Sequence, residues 1–138
     1  MNYLRQIEDL DSLIEAKQDA YEVVMVEATQ VTQRLKDVYV QSSKDHTRHE
    51  TLLAKMADLS TQIDQKKMEL INLKGEVLEL IEELENNTYK TILIFKYVNG
   101  RPLEYIAKRM CYSRSWIYTL HDRAVKDFLK RVDKKGQR

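Results

Sequence analysis

The sequence predicts an all-α protein: a long antiparallel coiled-coil helical hairpin over residues 1–86, a small helix-turn-helix domain over 87–132, and a basic tail over 133–138. Three observations carry this. The 138 residues include only three glycines and one proline, too few for a turn-rich fold. Apolar residues recur in alternating steps of four and three through most of the first 84 positions. The charge also changes sign along the chain. Residues 1–88 hold 10 Lys/Arg and 18 Asp/Glu, while 89–138 hold 13 and 4, nets of −8 and +9 within a total of +1. Such asymmetry indicates two modules with different tasks, and a compact basic module is a common way to present a nucleic-acid surface.

The first seam runs Tyr3, Ile7, Leu10, Ile14, Lys17, Tyr21, Val24, Ala28, Val31, Leu35 and Val38, broken only by Lys17. The second runs Leu52, Met56, Leu59, Ile63, Lys66, Leu70, Leu73, Val77, Leu80 and Leu84, broken only by Lys66. A heptad seam sustained in both halves predicts two coiled-coil helices. The polar stretch QSSKDHTRHE separates them, and Thr47 with Glu50 has capping-box spacing, which places the second helix start near Thr47. Antiparallel layers with residue numbers summing to 87, such as Leu35 with Leu52, or to 94, satisfy the pattern. The two seam lysines are expected to snorkel to nearby acids such as Glu69 or Glu22. Off the seam, Leu4, Leu13 and Ala20 on the first helix and Ile71, Leu78 and Ile81 on the second form another apolar edge. That edge needs a cover: the C-terminal domain, the base of the hairpin itself, or a second copy, hence an expected homodimer.

In the basic part, Asn86, Asn87 and Thr88 end one helix and cap the next. The segment YKTILIFKYV is a short helix carrying Ile92, Leu93, Phe95 and Val98, stopped by Asn99-Gly100. Pro102 suits the first turn of LEYIAKRM, which turns Leu103, Ile106, Ala107 and Met110 inward. Cys111-Tyr112 makes a tight turn, and Ser113 caps the last helix, whose inward face is Ile117, Leu120, Ala124, Val125 and Phe128. Its opposite face offers Arg114, Ser115, Tyr118, Thr119 and Asp122, where a recognition helix meets base edges in the major groove. Arg123, Lys126 and Lys130 suit phosphates. Arg114 is the foremost base-reading candidate, because bidentate Arg–guanine contacts are the commonest specific ones. Trp116 is expected to pack on the domain's first helix, Cys111 to be a small buried turn residue, and His121 to serve surface or packing.

The stretch PLEYIAKRMCYSRSWIYTLHDRAVKDFL resembles the promoter-reading region four of bacterial sigma factors. The likeness rests on Leu103, Glu104, Ile106, Ala107, Arg109, Ser113, Arg114, Arg123 and Ala124, with IFKYVNGRP as its lead-in. It covers about the last 45 residues. Three features depart from the pattern: Pro102 replaces a Ser/Thr cap, Cys111 replaces the turn glycine, and Trp116 and Tyr118 stand where arginines are usual. These favour a target other than the ordinary −35 promoter element. A coiled N-terminal half before such a domain is similar to small phage and prophage regulators of the ArpU/RinA type. The resemblance implies a late-gene transcription regulator in the bacterial host cytoplasm, with double-stranded DNA as partner and RNA polymerase as a further one.

Other classes draw less support. The first residues, MNYLRQIEDLDSL, carry no apolar signal core, and no run approaches a membrane span, so a soluble protein with no membrane partner is expected. One cysteine excludes an internal disulfide and suits a reducing compartment. No Gly-rich phosphate loop or catalytic triad is present, so neither enzyme activity nor a cofactor is expected. His46 and His49 beside Asp45 and Glu50 fall short of the roughly four ligands of a structural metal site. The competing readings are a small terminase-like packaging protein, whose DNA module usually comes first, and a coiled-coil adaptor that binds no DNA.

Overall fold

The computed structural model describes residues 2–36 and 43–136. Five α-helices follow one another: α1 Tyr3–Lys36, α2 Ser43–Glu82, α3 Asn87–Leu93, α4 Leu103–Met110 and α5 Arg114–Gly136, with one π-helical turn, Ile94–Val98, after α3. No strand occurs among the described residues. The chain forms two compact units, Leu10–Glu69 and Met1–Asp9 with Leu70–Arg138.

The heptad pattern explains α1 and α2, which pack against each other. Every described residue of both seams is buried or half-buried, whereas the positions between them are mostly exposed. Val38 lies outside the described residues. Within the unit of residues 10–69, Ala28, Val31 and Leu52 form a buried cluster edged by Val24, Leu35 and Met56. Lys17 Nζ donates to Gln62 Oε1 at 2.7 Å, and Thr32 Oγ1 shares a hydrogen bond with His49 Nε2 at 2.9 Å. Arg48 pairs with Glu27 at 3.5 Å.

These bonds correct the expected register. The Lys17–Gln62 and Thr32–His49 pairs sum to 79 and 81, so the helices meet one heptad away from the 87 layering and two from 94. Helix α2 begins at Ser43, four residues before the Thr47 capping box, and Thr47 is an interior residue whose carbonyl accepts from Thr51 Oγ1 at 2.9 Å. Lys66 reaches Glu69 at 3.2 Å as expected, while Lys17 finds the Gln62 amide rather than Glu22.

In the unit of residues 1–9 and 70–138, the second apolar edge divides. Leu4 and Ile81 are buried, together with Ile7, Val77 and Leu84, whereas Ile71 and Leu78 remain exposed. On the segment of α1 in the other unit, Leu13 and Ala20 are exposed as well. Asn86 caps α3, its Oδ1 accepting from Thr88 N at 2.9 Å and Tyr89 N at 3.2 Å. Ile92 and Leu93 follow into the core.

The helix does not simply stop at Asn99-Gly100. Asn99 N–H donates to Ile94 O across five residues, a π turn, and Arg101 N–H closes it onto Phe95 O, both at 2.9 Å. Gly100 at φ 70° makes that closure, and Asn99 stays right-handed. The wider turn swings Tyr97 into the core, leaving Phe95 and Val98 half-buried. Pro102 stands just ahead of α4 as an extended cap without a side-chain bond, its carbonyl accepting from Ile106 N.

Leu52→Asp should place an uncompensated charge in the α1–α2 seam and cost about 3–5 kcal/mol. Urea unfolding followed by far-UV circular dichroism would show it, and an unchanged midpoint would contradict the burial of Leu52 in that seam.

Candidate nucleic-acid interface

α4 and α5 form the expected helix-turn-helix, with α3 packed on α5 as its support. Ile92, Leu103, Ile106, Ala107, Ile117 and Leu120 make one buried cluster, edged by Tyr89, Phe95, Tyr105, Met110 and Tyr112. Ala107 sits in this cluster where α4 meets α5, and its small side chain permits close approach. Further along α5, Ala124 and Phe128 have no exposed surface, and Val125 is half-buried.

The turn is made at Cys111, the one non-glycine residue with positive φ among the described residues (φ 61°, ψ 41°). Its N–H donates to Lys108 O, and Tyr112 N–H donates to Ala107 O at 2.8 Å, which satisfies the last carbonyls of α4. The left-handed conformation costs a non-glycine residue about 1–2 kcal/mol. Cys111 itself is exposed, not buried, because the turn projects its side chain outward. Ser113 then caps α5, its Oγ accepting from Trp116 N–H at 3.2 Å.

Every residue assigned to the interface lies exposed on α5: Arg114, Ser115, Tyr118, Thr119, Asp122, Arg123 and Lys126. At 3.6 residues per turn, Ser115, Thr119, Asp122 and Lys126 fall directly opposite the buried stripe of Ile117, Leu120, Ala124 and Phe128. Arg114 and Tyr118 form one flank of this ridge, Trp116 and Arg123 the other. Short side chains at Ser115 and Thr119 leave the ridge low between two tall flanks. Thr119 Oγ1 returns to Ser115 O at 3.2 Å.

Both flanks are tied. Glu104 of α4 receives Arg114 Nη2 at 3.4 Å and the Tyr118 hydroxyl at 3.1 Å, both on Oε1. A hydrogen bond from its own backbone, then that from Tyr118, then the charges of Arg114 and Lys96, hold the Glu104 carboxyl below its usual range. On the other flank the Arg123 guanidinium lies 5.4 Å from the Trp116 ring centre. Trp116 is 41% exposed and belongs to α5's outer surface, which corrects the expectation that it packs on the first helix. A neighbouring guanidinium solvates its π face instead.

Sequence reading placed the surface residues but missed Glu104 as their partner. It stands ten positions before Arg114, and only the helix crossing brings them together. It also missed Tyr97. The Tyr97 hydroxyl and His121 Nε2 share a hydrogen bond at 2.8 Å, with the rings stacked at 5.8 Å. Burial, then Glu8 and Asp122, pushes the Tyr97 phenol up to about 12. Burial lowers His121, only partly opposed by Asp122, whose carboxylate is 3.8 Å from Nδ1. We assign a neutral His121 whose Nε2 accepts a hydrogen bond from the Tyr97 hydroxyl, with the ring's own proton on Nδ1 facing Asp122.

Beyond the ridge, α5 continues as helix to Gly136, into the segment expected to be a tail. Lys135 pairs with Glu83, Arg131 with Glu85 at 3.5 Å, and Lys90 of α3 with Glu82 at 3.8 Å. Lys130, Arg131, Lys134 and Lys135, with Glu83 and Asp127, line a shallow cavity of about 310 Å³. Among the described residues, no group of three or more His, Cys, Asp or Glu is placed to hold a metal ion. None of their helices is long and apolar enough to cross a membrane.

A protein-family model described as a protein of unknown function, DUF1492, matches residues 20–129, and the chain belongs to that family. No curated protein and no solved structure matches it.

Two measurements follow from this geometry. Cys111→Gly should raise stability by about 1 kcal/mol, since glycine adopts the left-handed turn without the Cβ penalty; a lower urea midpoint would contradict the turn. His121 is harder to protonate folded than unfolded, so the unfolded chain takes up the proton first as pH falls below about 6.5. Stability should therefore drop between pH 7.5 and 5.5, and His121→Gln should show a smaller drop. An equal drop in both would remove His121 as the cause.

Proposed function

We propose that this member of the DUF1492 family is a sequence-specific DNA-binding transcription regulator that uses α5 as a recognition helix and performs no catalysis. The observation that carries the reading is the outward ridge of α5. It is polar, begins at a capped helix N-terminus and is held by a rigid apolar face behind it. That is the arrangement a major-groove reader needs. Arg114 would reach base edges, Ser115 and Thr119 would contact bases or phosphates, and Tyr118 would meet a thymine methyl or a phosphate. Arg123, Lys126 and Lys130 would engage the backbone, making affinity fall steeply with salt.

The resemblance to region four of sigma factors supports control of transcription, and the similarity to ArpU/RinA-type regulators supports late-gene activation in a phage or prophage. Within this reading, the acidic helices hold a second copy or RNA polymerase, and the protein works in the host cytoplasm. The exposed Ile71 and Leu78 favour a homodimer, because a second copy would cover them.

The test is a gel-shift titration against the DNA upstream of its own gene and a scrambled duplex, across a salt series. Preferential binding that weakens with salt is expected. Arg114→Ala should cost about 1–3 kcal/mol on the preferred duplex and relax selectivity at one base pair. No binding to either duplex at low salt would overturn the reading and favour a protein adaptor.

A further inference from the structure

Among the described residues, the α4–α5 pair contains one acid that touches two of the surface residues assigned to base reading. Glu104 Oε1 accepts from Arg114 and from Tyr118, which come from successive turns of α5. All three side chains are exposed, so the contacts contribute little to folding. Their effect is geometric. An arginine with a 75% exposed side chain at the first position of a helix samples many rotamers. A phenol one turn later has its ring direction fixed but its hydroxyl free. One carboxylate oxygen gathers both tips to the same point beside the ridge.

We propose that Glu104 is a positioning residue that sets the sequence selectivity of α5, holding Arg114 and Tyr118 as one preorganised unit. This rests on the DNA-reading proposal above. The carboxylate is charged at neutral pH, being held below its usual range by its own backbone, Tyr118 and Arg114. It therefore also disfavours indiscriminate phosphate contact at this flank. With Glu104 in place, Arg114 is directed at one base position; without it, the guanidinium is free to take any nearby phosphate. Loss of Glu104 should thus lower affinity for the preferred sequence while sparing or raising affinity for arbitrary DNA. On the other flank, Arg123 is held by the Trp116 ring instead, at 5.4 Å from its centre.

The experiment uses the full chain and the duplex that the wild-type protein enriches from a randomised library, with a scrambled duplex as reference. Glu104→Ala should reduce the ratio of preferred to scrambled affinity about three- to tenfold, the size expected for losing one ordered side chain. Glu104→Gln, which keeps an acceptor oxygen, should restore part of it. In an Arg114→Ala, Tyr118→Phe background, Glu104→Ala should change the ratio less than about twofold, because its targets are gone. Thermal midpoints should be nearly the same throughout. An unchanged ratio in Glu104→Ala overturns the proposal while leaving DNA reading intact. An equal loss in the double-variant background also overturns it, since Glu104 would then act by itself. If the wild-type protein enriches no sequence, the reading and this inference fall together.

Discussion

The packing of α3, α4 and α5 depends on one apolar stripe, the inner face of α5. Ile117, Ala124 and Phe128 are fully buried, with Leu120 nearly so, and both α3 and α4 pack on this helix. Truncating a residue such as Phe128 costs about 3–5 kcal/mol in other cores, a large share of a small domain's stability. Because the stripe fixes the rotation of α5 about its own axis, it also fixes which residues face outward. The ridge of Ser115, Thr119, Asp122 and Lys126 is the geometric complement of the core. Any change that rotated the helix by one residue would bury polar groups and expose apolar ones at once.

The long helices obey a simpler rule. Their seams are buried because two helices of matched heptads bury little else, and the polar pairs Lys17–Gln62 and Thr32–His49 link the two helices beside the apolar contacts. Exposed ion pairs such as Arg48–Glu27 add about 0–1 kcal/mol each.

Much of this was legible in the residues. The 4–3 spacing gave both long helices and named the buried positions, and Asn86, Gly100 and Ser113 marked caps and turns that occur where expected. The register was not legible, because a heptad repeat is degenerate under shifts of seven. Thr47 with Glu50 also offered a credible but wrong start for α2. The π turn was hidden because YKTILIFKYV reads as an ordinary helix; only tertiary burial of Tyr97 against His121 distinguishes it. For the candidate site, side-chain periodicity was enough to place each exposed α5 residue. It could not place Glu104 or Trp116, whose surroundings are set by another helix or by a residue two turns away.

The position of Trp116 has a practical meaning. It is the chain's sole tryptophan, it stands in the first turn of α5, and it is half in water under the guanidinium of Arg123. The indole thus gives the protein an intrinsic optical reporter on the outward surface of that helix. Whatever settles on this surface changes the polarity around a single chromophore, so its emission reports occupancy directly, without a label and without a background from other indoles.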